Sequence, residues 1–514
     1  MRFTRPLRTL LAAATIGLLA HSAIAQSNPV TQRDAIDWHQ NPRETSLVVT
    51  AERKVFMPID RKGRIVLTAQ LGRQSAKAEK HTADWQLVQG DAVIALGSDA
   101  IATGMLVLTL DIPSLAPGQY VLRADLKRDG NVIASHSDSF EVKADDVKPI
   151  TSGKVPLILP RGVNVGDDAA WPLTTGVPFP KGALYDTRNV RVVDADGRPV
   201  PAQFHVRSRW GFEEGASIRW LSVDLQSPDA KAWWPDRKDR PFVLEFGPNV
   251  TTAPATQKVI VDKTNAGYRI NTGPLAFTVK QQGFNLVDEV TLDGRPVLSN
   301  SSKHGLYLVD HEGSIYRAAN DRQTKLTIEE EGDLRVVIRA EGWYVKDNSP
   351  GLSQNIALPT DKLCKFITRI EAYAGQSQVR ILSTWVVTFD SHAVRLRDLG
   401  LSLPVSGVKQ ASFGVEGQKA IDAKVPPQGV TLLQHLPDRF DIQAGAGGQV
   451  TTGRHSDGNV IVTQSNQSVV GVSHRETWQR FPKQITVKPD ELRFHIWPAD
   501  GKDHPEIDIF PADR

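Results

Sequence analysis

The chain has 514 residues, 40% of them hydrophobic and 23% charged, enough apolar material for packed cores and too much for a disordered polymer. Gly 39 and Pro 32 against Met 3 favour strands and turns over long helices. The single cysteine, Cys364, excludes an intramolecular disulfide framework and a cysteine-based zinc site.

At the N-terminus Arg2, Arg5 and Arg8 precede an apolar run from Leu10 to Ala20, and Ala23-Ile24-Ala25 offers a small-x-small cleavage site. Residues 1–25 therefore read as a secretory signal peptide whose apolar run is too short to span a bilayer. Its removal discards three arginines and no acids, which leaves 58 basic residues against 58 acidic ones. The net charge of +3 belongs to the leader, so no electrostatic case for nucleic acid or an anionic membrane survives. With no lipidation cysteine after the cleavage site and no other anchor, the expected location is the periplasm of a Gram-negative bacterium after cleavage near Ala25. Secretion is the second choice.

A polar lead-in, 26–45, opens the mature chain. From 46 to 148 the pattern is strand after strand: Arg64–Ala69 and Met105–Leu110 are short apolar runs, and Tyr120–Leu126 mostly alternates. Asp129-Gly130 is a hairpin signal. A unit of this size and pattern predicts an immunoglobulin-like sandwich. It ends in the charged, proline-terminated linker Lys143–Pro149.

Further strands are expected at Leu334–Ala340, Phe366–Tyr373, Val379–Phe389 and Asn459–Thr463, with a boundary in the Thr/Pro/Ala-rich stretch Pro248–Thr256. Asp196-Gly197 and Asp293-Gly294 both lie in the string Asp-Gly-Arg-Pro-Val, which reads as shared turn chemistry because the flanks differ; Asp457-Gly458 is a further hairpin candidate. The prediction is an all-β chain. Its end, Pro498–Arg514, carries three prolines and looks like the start of a connection.

The phosphate-loop, dinucleotide, nucleophile-elbow and His-Glu-x-x-His motifs are absent. Glycosidase chemistry needs two carboxylates across the scissile bond. Glu213-Glu214, beside Trp210 and Phe212, and Glu329-Glu330-Glu331 are the clusters available, although solvated turns or strand ends are the ordinary reading of both. Eliminative cleavage of a uronate needs a cation for the carboxylate and a Lys, His or Tyr base. His474-Arg475-Glu476 with Trp478 and Arg480, and the grouping His304, Tyr307, His311 and Tyr316, supply those residue types. On a strand His474 and Glu476 would share a face, which more often means only that one side is wet. No cofactor motif is evident, and calcium is left open. Eleven tryptophans are the unusual feature: Trp220 and Trp385 sit in apolar strand strings and read as core, whereas Trp233-Trp234 is the best exposed pair. Trp210, Glu213, Trp233 and Trp234 are the candidate substrate-binding residues.

Leu159-Pro160-Arg161-Gly162-Val163, Trp171 and Gly176–Leu184 resemble the YetA-like exo-rhamnogalacturonan lyases. So do Ile218–Leu221, Phe366–Gly375, Trp478–Lys483 and Leu492–Pro498, in order. The resemblance covers roughly Val155 to Pro498. It implies a RIFT-type β-barrel, 155–250, then a central β-sandwich, 257–498, with 499–514 as a tail or truncated connection. Members of that family continue into an α/α toroid on which their lyase site depends. This sequence stops short of one, so no catalytic residue carries over. The expectations are the non-toroid part of an exo-acting lyase of acidic, pectin-type polysaccharide, either truncated by a frameshift or completed by a separately encoded toroid as partner, or a non-catalytic periplasmic glycan-binding protein. A glycoside hydrolase using Glu213 or Glu214 is the third reading.

Overall fold

The computed structural model describes residues 45–70, 81–101, 104–144, 148, 150–157, 171–226, 242–298, 303–348, 361–390, 393–445 and 447–500. The expected signal peptide, the lead-in up to residue 44, Trp233, Trp234, and the tail beyond residue 500 lie outside the described residues. Among the described residues every regular element is a strand or a three-residue 3-10 turn. The protein is all-β, as the Gly, Pro and β-branched patterning indicates.

The chain divides into two compact units. The first comprises residues up to Ser152 together with Pro178–Asp186 and Ser208–Trp220; the second holds Gly153–Val177, Thr187–Arg207 and Leu221 onward.

In the first unit, Ser46–Ala51, Lys62–Gln70 and Met105–Asp111 form one antiparallel sheet. A five-stranded sheet runs in the order Val55–Phe56, Asn131–Val142, Gly118–Arg128, His81–Gln89, Ala92–Ala100. Lys62–Gln70 buries every second residue, which aims Ile65 and Leu67 inward to meet Leu122, Leu126 and Phe140 of the other sheet in one core. Tyr120 stacks on Phe140, and Phe56 meets Phe140 edge-on. The Tyr120 hydroxyl donates to Ala116 O at 2.7 Å, the arrangement of a tyrosine corner in immunoglobulin-like sandwiches. Asp129 and Gly130, at φ 49° and 84°, make the hairpin between the two longest strands. Both positive angles suit the twist of the flanking strands.

The second unit begins with a four-stranded sheet, Pro199–Val200, Val190–Val193, Phe242–Phe246, Gly153–Leu157, and a three-stranded sheet, Pro172–Pro178, Ile218–Gln226, Ala202–Arg209. A five-stranded antiparallel meander, Ile260–Lys263, Gly267–Asn271, Leu275–Lys280, Asp288–Leu292 and Arg295–Leu298, follows. A 12-stranded sheet dominates this unit. Its middle runs Lys362–Tyr373, Arg335–Lys346, Ile315–Arg317, Gly305–Asp310, Leu396–Pro404, Glu491–Trp497, Lys483–Val487, Val430–Leu436. One apolar core, with Phe277, Phe284, Tyr344 and Phe366 at its centre and Phe413, Phe440 and Phe494 farther along, joins these sheets to the four-stranded sheet around Gln410–Val415 and Ser456–Thr463.

Two local expectations are corrected here. Asp457-Gly458 is not a hairpin turn: both residues lie inside the strand Ser456–Thr463. Gly458 there, at φ 73°, sits where the pairing with Gln410–Val415 shifts register. A glycine at positive φ serves a bulge as readily as a turn. Trp220 is not core: it is 43% exposed, because two consecutive residues of its strand, Arg219 and Trp220, both face outward and break the alternation.

Candidate functional site

The sequence-predicted pair Trp210 and Glu213 lies in the first unit, at the tip where Ala202–Arg209 turns back into Ile218–Gln226. Trp210 N donates to Ser217 O at 2.9 Å and Ala216 N to Glu213 O at 3.1 Å. Gly215, at φ 77°, supplies the left-handed residue that this tight reversal requires.

Three aromatic rings of this unit each carry a guanidinium. Arg64 lies 3.8 Å from the Phe212 centroid, Arg219 4.9 Å from Trp210 and Arg61 5.4 Å from Tyr185. Phe212 and Tyr185 are 38% and 40% exposed. Trp210 is half-buried, and its Nε1 donates to Phe179 O at 2.8 Å, which fixes the indole edge. Beneath them, buried Asp60 accepts from Met57 N at 2.6 Å and Arg53 Nη1 at 2.9 Å and contacts Lys181 Nζ. Arg53 Nη2 also donates to Trp210 O at 3.3 Å. Burial and the Arg53 charge push the Lys181 amine down to about 8, against the pull of Glu213 and Glu52. Glu213 keeps one buried carboxylate oxygen with no hydrogen-bond partner among the described residues. Glu214 is exposed on the turn.

This surface offers partly exposed aromatic rings and guanidinium edges that can take a carboxylate in two parallel hydrogen bonds; Arg64 Nε already lies 3.7 Å from Glu52 Oε2, and the unpartnered Glu213 oxygen is buried. The sequence pointed to Trp210, Phe212 and Glu213 but missed Arg61, Arg64, Lys181 and Tyr185. The alternation of Lys62–Gln70 would have placed Arg64 outward, but nothing local tells which ring it meets.

Elsewhere on the first unit, an open depression of about 680 Å³ lies on the five-stranded sheet around Trp85, Arg123, Lys127 and His136. Its Lys127 is already paired with Asp84 at 2.5 Å, and the Trp85 indole donates to Asp99 at 2.8 Å.

In the second unit, His205, Asp224 and Glu330 bring ligand atoms within 4.8 Å of one another. Arg335 already supplies the cation, with Nη1 2.9 Å from Glu330 and 3.3 Å from Asp224 and Nη2 3.0 Å from Glu371. Arg207 adds a second guanidinium on Glu330 at 2.5 Å. Gln203 Oε1 accepts from Leu334 N and Arg335 N, so its amide nitrogen is the atom 2.5 Å from His205 Nε2. His205 Nε2 accepts from that amide, the ring proton sits on Nδ1, and neutral His205 has no lone pair left for a metal. Burial holds the Asp224 carboxyl above the usual carboxylate range, with Arg335 opposing. Burial would also raise Glu330, but its hydrogen bond from Arg207 and the charges of Arg335 and Arg207 hold it below that range. The cluster is a buried ion network and does not fit a cation site. It also corrects the solvated reading of the acidic run: Glu330 is buried and Glu329 is bound by Arg369, while Glu331 alone is exposed.

The remaining candidates do not converge. Tyr307 is buried with Asp398 and His495 at 3.2 and 3.1 Å. Tyr316 instead donates to Asp310, His311 accepts from Arg395 N, and His304 meets Ser402. His474 and Glu476 are not on a strand but in the turn-rich loop between Val469–Ser473 and Lys483–Val487. A shared strand face therefore does not apply.

Comparison with known proteins gives one family match: residues 259–413 fit the PcRGLX-like protein central beta sandwich domain. That stretch holds the five-stranded meander and the first strands of the 12-stranded sheet. No curated protein matches the chain. Among solved structures it is similar to a protein in the glycosyl hydrolase family 38 from Enterococcus faecalis, with TM-score 0.34 and 9% identity over 64% of this chain and 39% of that one. It is similar also to native alfa-L-rhamnosidase from Aspergillus terreus, with TM-score 0.17 and 11% identity over 89% and 47%. The chain thus spans well under two thirds of either structure. A tetra-tandem repeat from the extending region of a large adhesion protein gives TM-score 0.16 and 10% identity over 88% and 97%. By its central domain the chain carries a PcRGLX-like β-sandwich.

Proposed function

We propose that this protein is exported and serves the breakdown of acidic, pectin-type polysaccharide, as the β-portion of a lyase-related system, binding its glycan at the aromatic–guanidinium surface of the first unit. The observation that carries the reading is the pairing of Phe212, Trp210 and Tyr185 with Arg64, Arg219 and Arg61. A uronate residue presents an apolar C–H face and a carboxylate on one ring. Aromatic faces take the first and guanidinium edges the second. The central-domain match supports the polysaccharide setting. Trp220, exposed and without a ring contact among the described residues, follows Arg219 directly in the chain.

Titration of the purified chain with oligogalacturonate, and with the same oligomer after reduction of its carboxyl groups, tests this. Saturable binding to the first and at least tenfold weaker binding to the second are expected, since a charge-assisted contact contributes about 1.5–3 kcal/mol. Arg64→Gln should weaken binding by roughly tenfold or more, and Trp220→Ala by several-fold. Equal affinity for both oligomers, or none for either, overturns the proposal. Following the mixture in the near ultraviolet separates binding from eliminative cleavage, because only the latter leaves an unsaturated uronate.

A further inference from the structure

The open depression on the five-stranded sheet has no role in the surface above, and it faces the other way. Leu122, Ala124 and Leu126 are core, so Arg123, Asp125 and Lys127 of the same strand point out of the sandwich, away from the three-stranded sheet that bears Arg64. Strand register then sets two rows across four strands. Leu96, Gln86, Arg123 and Ser137 stand side by side in one, and Ser98, Asp84, Asp125 and Ser135 in the next. The rows lie about 7 Å apart and each runs about 14 Å. Both line the depression, whose volume of about 680 Å³ suits a small-molecule site.

The two rows differ in chemistry. The second is fixed: Ser98 Oγ donates to Asp84 at 2.6 Å, Lys127 Nζ to the same carboxylate at 2.5 Å, and Ser135 Oγ to Asp125 at 2.6 Å. The first is free: Gln86, Arg123 and Ser137 are exposed, and their side chains have no hydrogen-bond or ion-pair partner among the described residues. Asp84 and Asp125 stand opposite each other on neighbouring strands, a like-charge pair that costs stability. His136 is neutral, because its Nδ1 accepts from Val49 N at 3.0 Å. Arg123 and Lys127 offset the two acids, so the lining carries no net charge.

We propose that this depression is a second glycan site, for a neutral oligosaccharide lying across the four strands. Each sugar hydroxyl both donates and accepts. A pyranose set between the rows presents one edge to the free donors of Gln86, Arg123 and Ser137, and the other to the lone pairs left on Asp84 and Asp125. The C–H face of the sugar at the end of the row covers Leu96, which is 69% exposed. A uronate here would set its carboxylate against two fixed carboxylates, so the site discriminates against the acidic chain. This inference does not rest on the aromatic–guanidinium surface. The two surfaces lie on opposite sheets of one sandwich, which can therefore hold two chains at once.

The test is calorimetric titration of the full chain with uncharged tetrasaccharides of glucose, galactose, mannose and arabinose. At least one should bind saturably, with an affinity that is the same at low and high salt, since no net charge is neutralised. Arg123→Ala and Asp125→Asn, one from each row, should each weaken binding by about tenfold with the melting midpoint retained. Gln86→Ala, which removes an exposed side chain without partners, gives a second reading of the free row. Oligogalacturonate in excess should leave the neutral sugar bound. If oligogalacturonate does not bind at all, the reading of the first surface falls, and the titration with its variants still decides this one. No binding of any of the four, binding that survives both substitutions, or displacement by oligogalacturonate overturns the inference.

Discussion

Arg335 shows what a single residue can hold together: three buried carboxylates, Asp224, Glu330 and Glu371, all within 3.3 Å of one guanidinium. Replacing it with leucine keeps the volume but takes the shared cation from three buried acids, of which only Glu330 keeps a close guanidinium, that of Arg207. Breaking such a buried ionic set costs about 3–5 kcal/mol, so Arg335→Leu should lower the denaturant midpoint markedly at pH 7. Protonation relieves the stranded acids, so the loss should shrink as the pH falls towards the carboxylate range. A loss below about 1 kcal/mol at pH 7 would mean that water reaches the cluster. This network was illegible in the sequence, because Asp224 stands 111 positions from Arg335 and nothing local links them. Trp210 and Glu213 were legible because their neighbours in the chain are also their neighbours in space, whereas the arginine on Phe212 arrives from position 64.

At the scale of the element, hydrophobic alternation and Asp-Gly turns carried most of the reading. Lys62–Gln70 and Gly118–Arg128 alternate as a two-faced sheet demands, and Asp293-Gly294 turns with φ 49° and 76°. The same dipeptide misled at 457–458, where positive φ serves a bulge in mid-strand. The two settings predict different costs. A Cβ at Gly130 meets nothing within 4 Å, so Gly130→Ala carries only backbone strain, about 1 kcal/mol. A Cβ at Gly458 runs into the Thr477 side chain and His474 O. Gly458→Ala should therefore cost at least twice as much in chemical denaturation, because Thr477 and His474 belong to the loop that precedes Lys483–Val487. Equal costs at the two sites would show that the loop gives way freely.

For the whole molecule, the all-β class was readable from composition because few residues favour helix ends or long apolar faces. The partition into two units was not, since the first unit takes in Pro178–Asp186 and Ser208–Trp220 from the middle of the chain. Sequence reading draws boundaries as cuts along a line, and this chain leaves its first unit and re-enters it twice. The aromatic–guanidinium surface depends on that re-entry, because Arg61 and Arg64 come from one stretch and Tyr185, Trp210 and Phe212 from the others. The amino-terminal sandwich therefore cannot be lifted out with this surface intact. A gene fusion that borrowed residues 45–152 would inherit the scaffold and two of the arginines, Arg61 and Arg64, without their rings, and neither member of the Arg219–Trp210 pair. Any lineage that passed this surface on had to pass on all three stretches together, so the surface is not a transferable cassette.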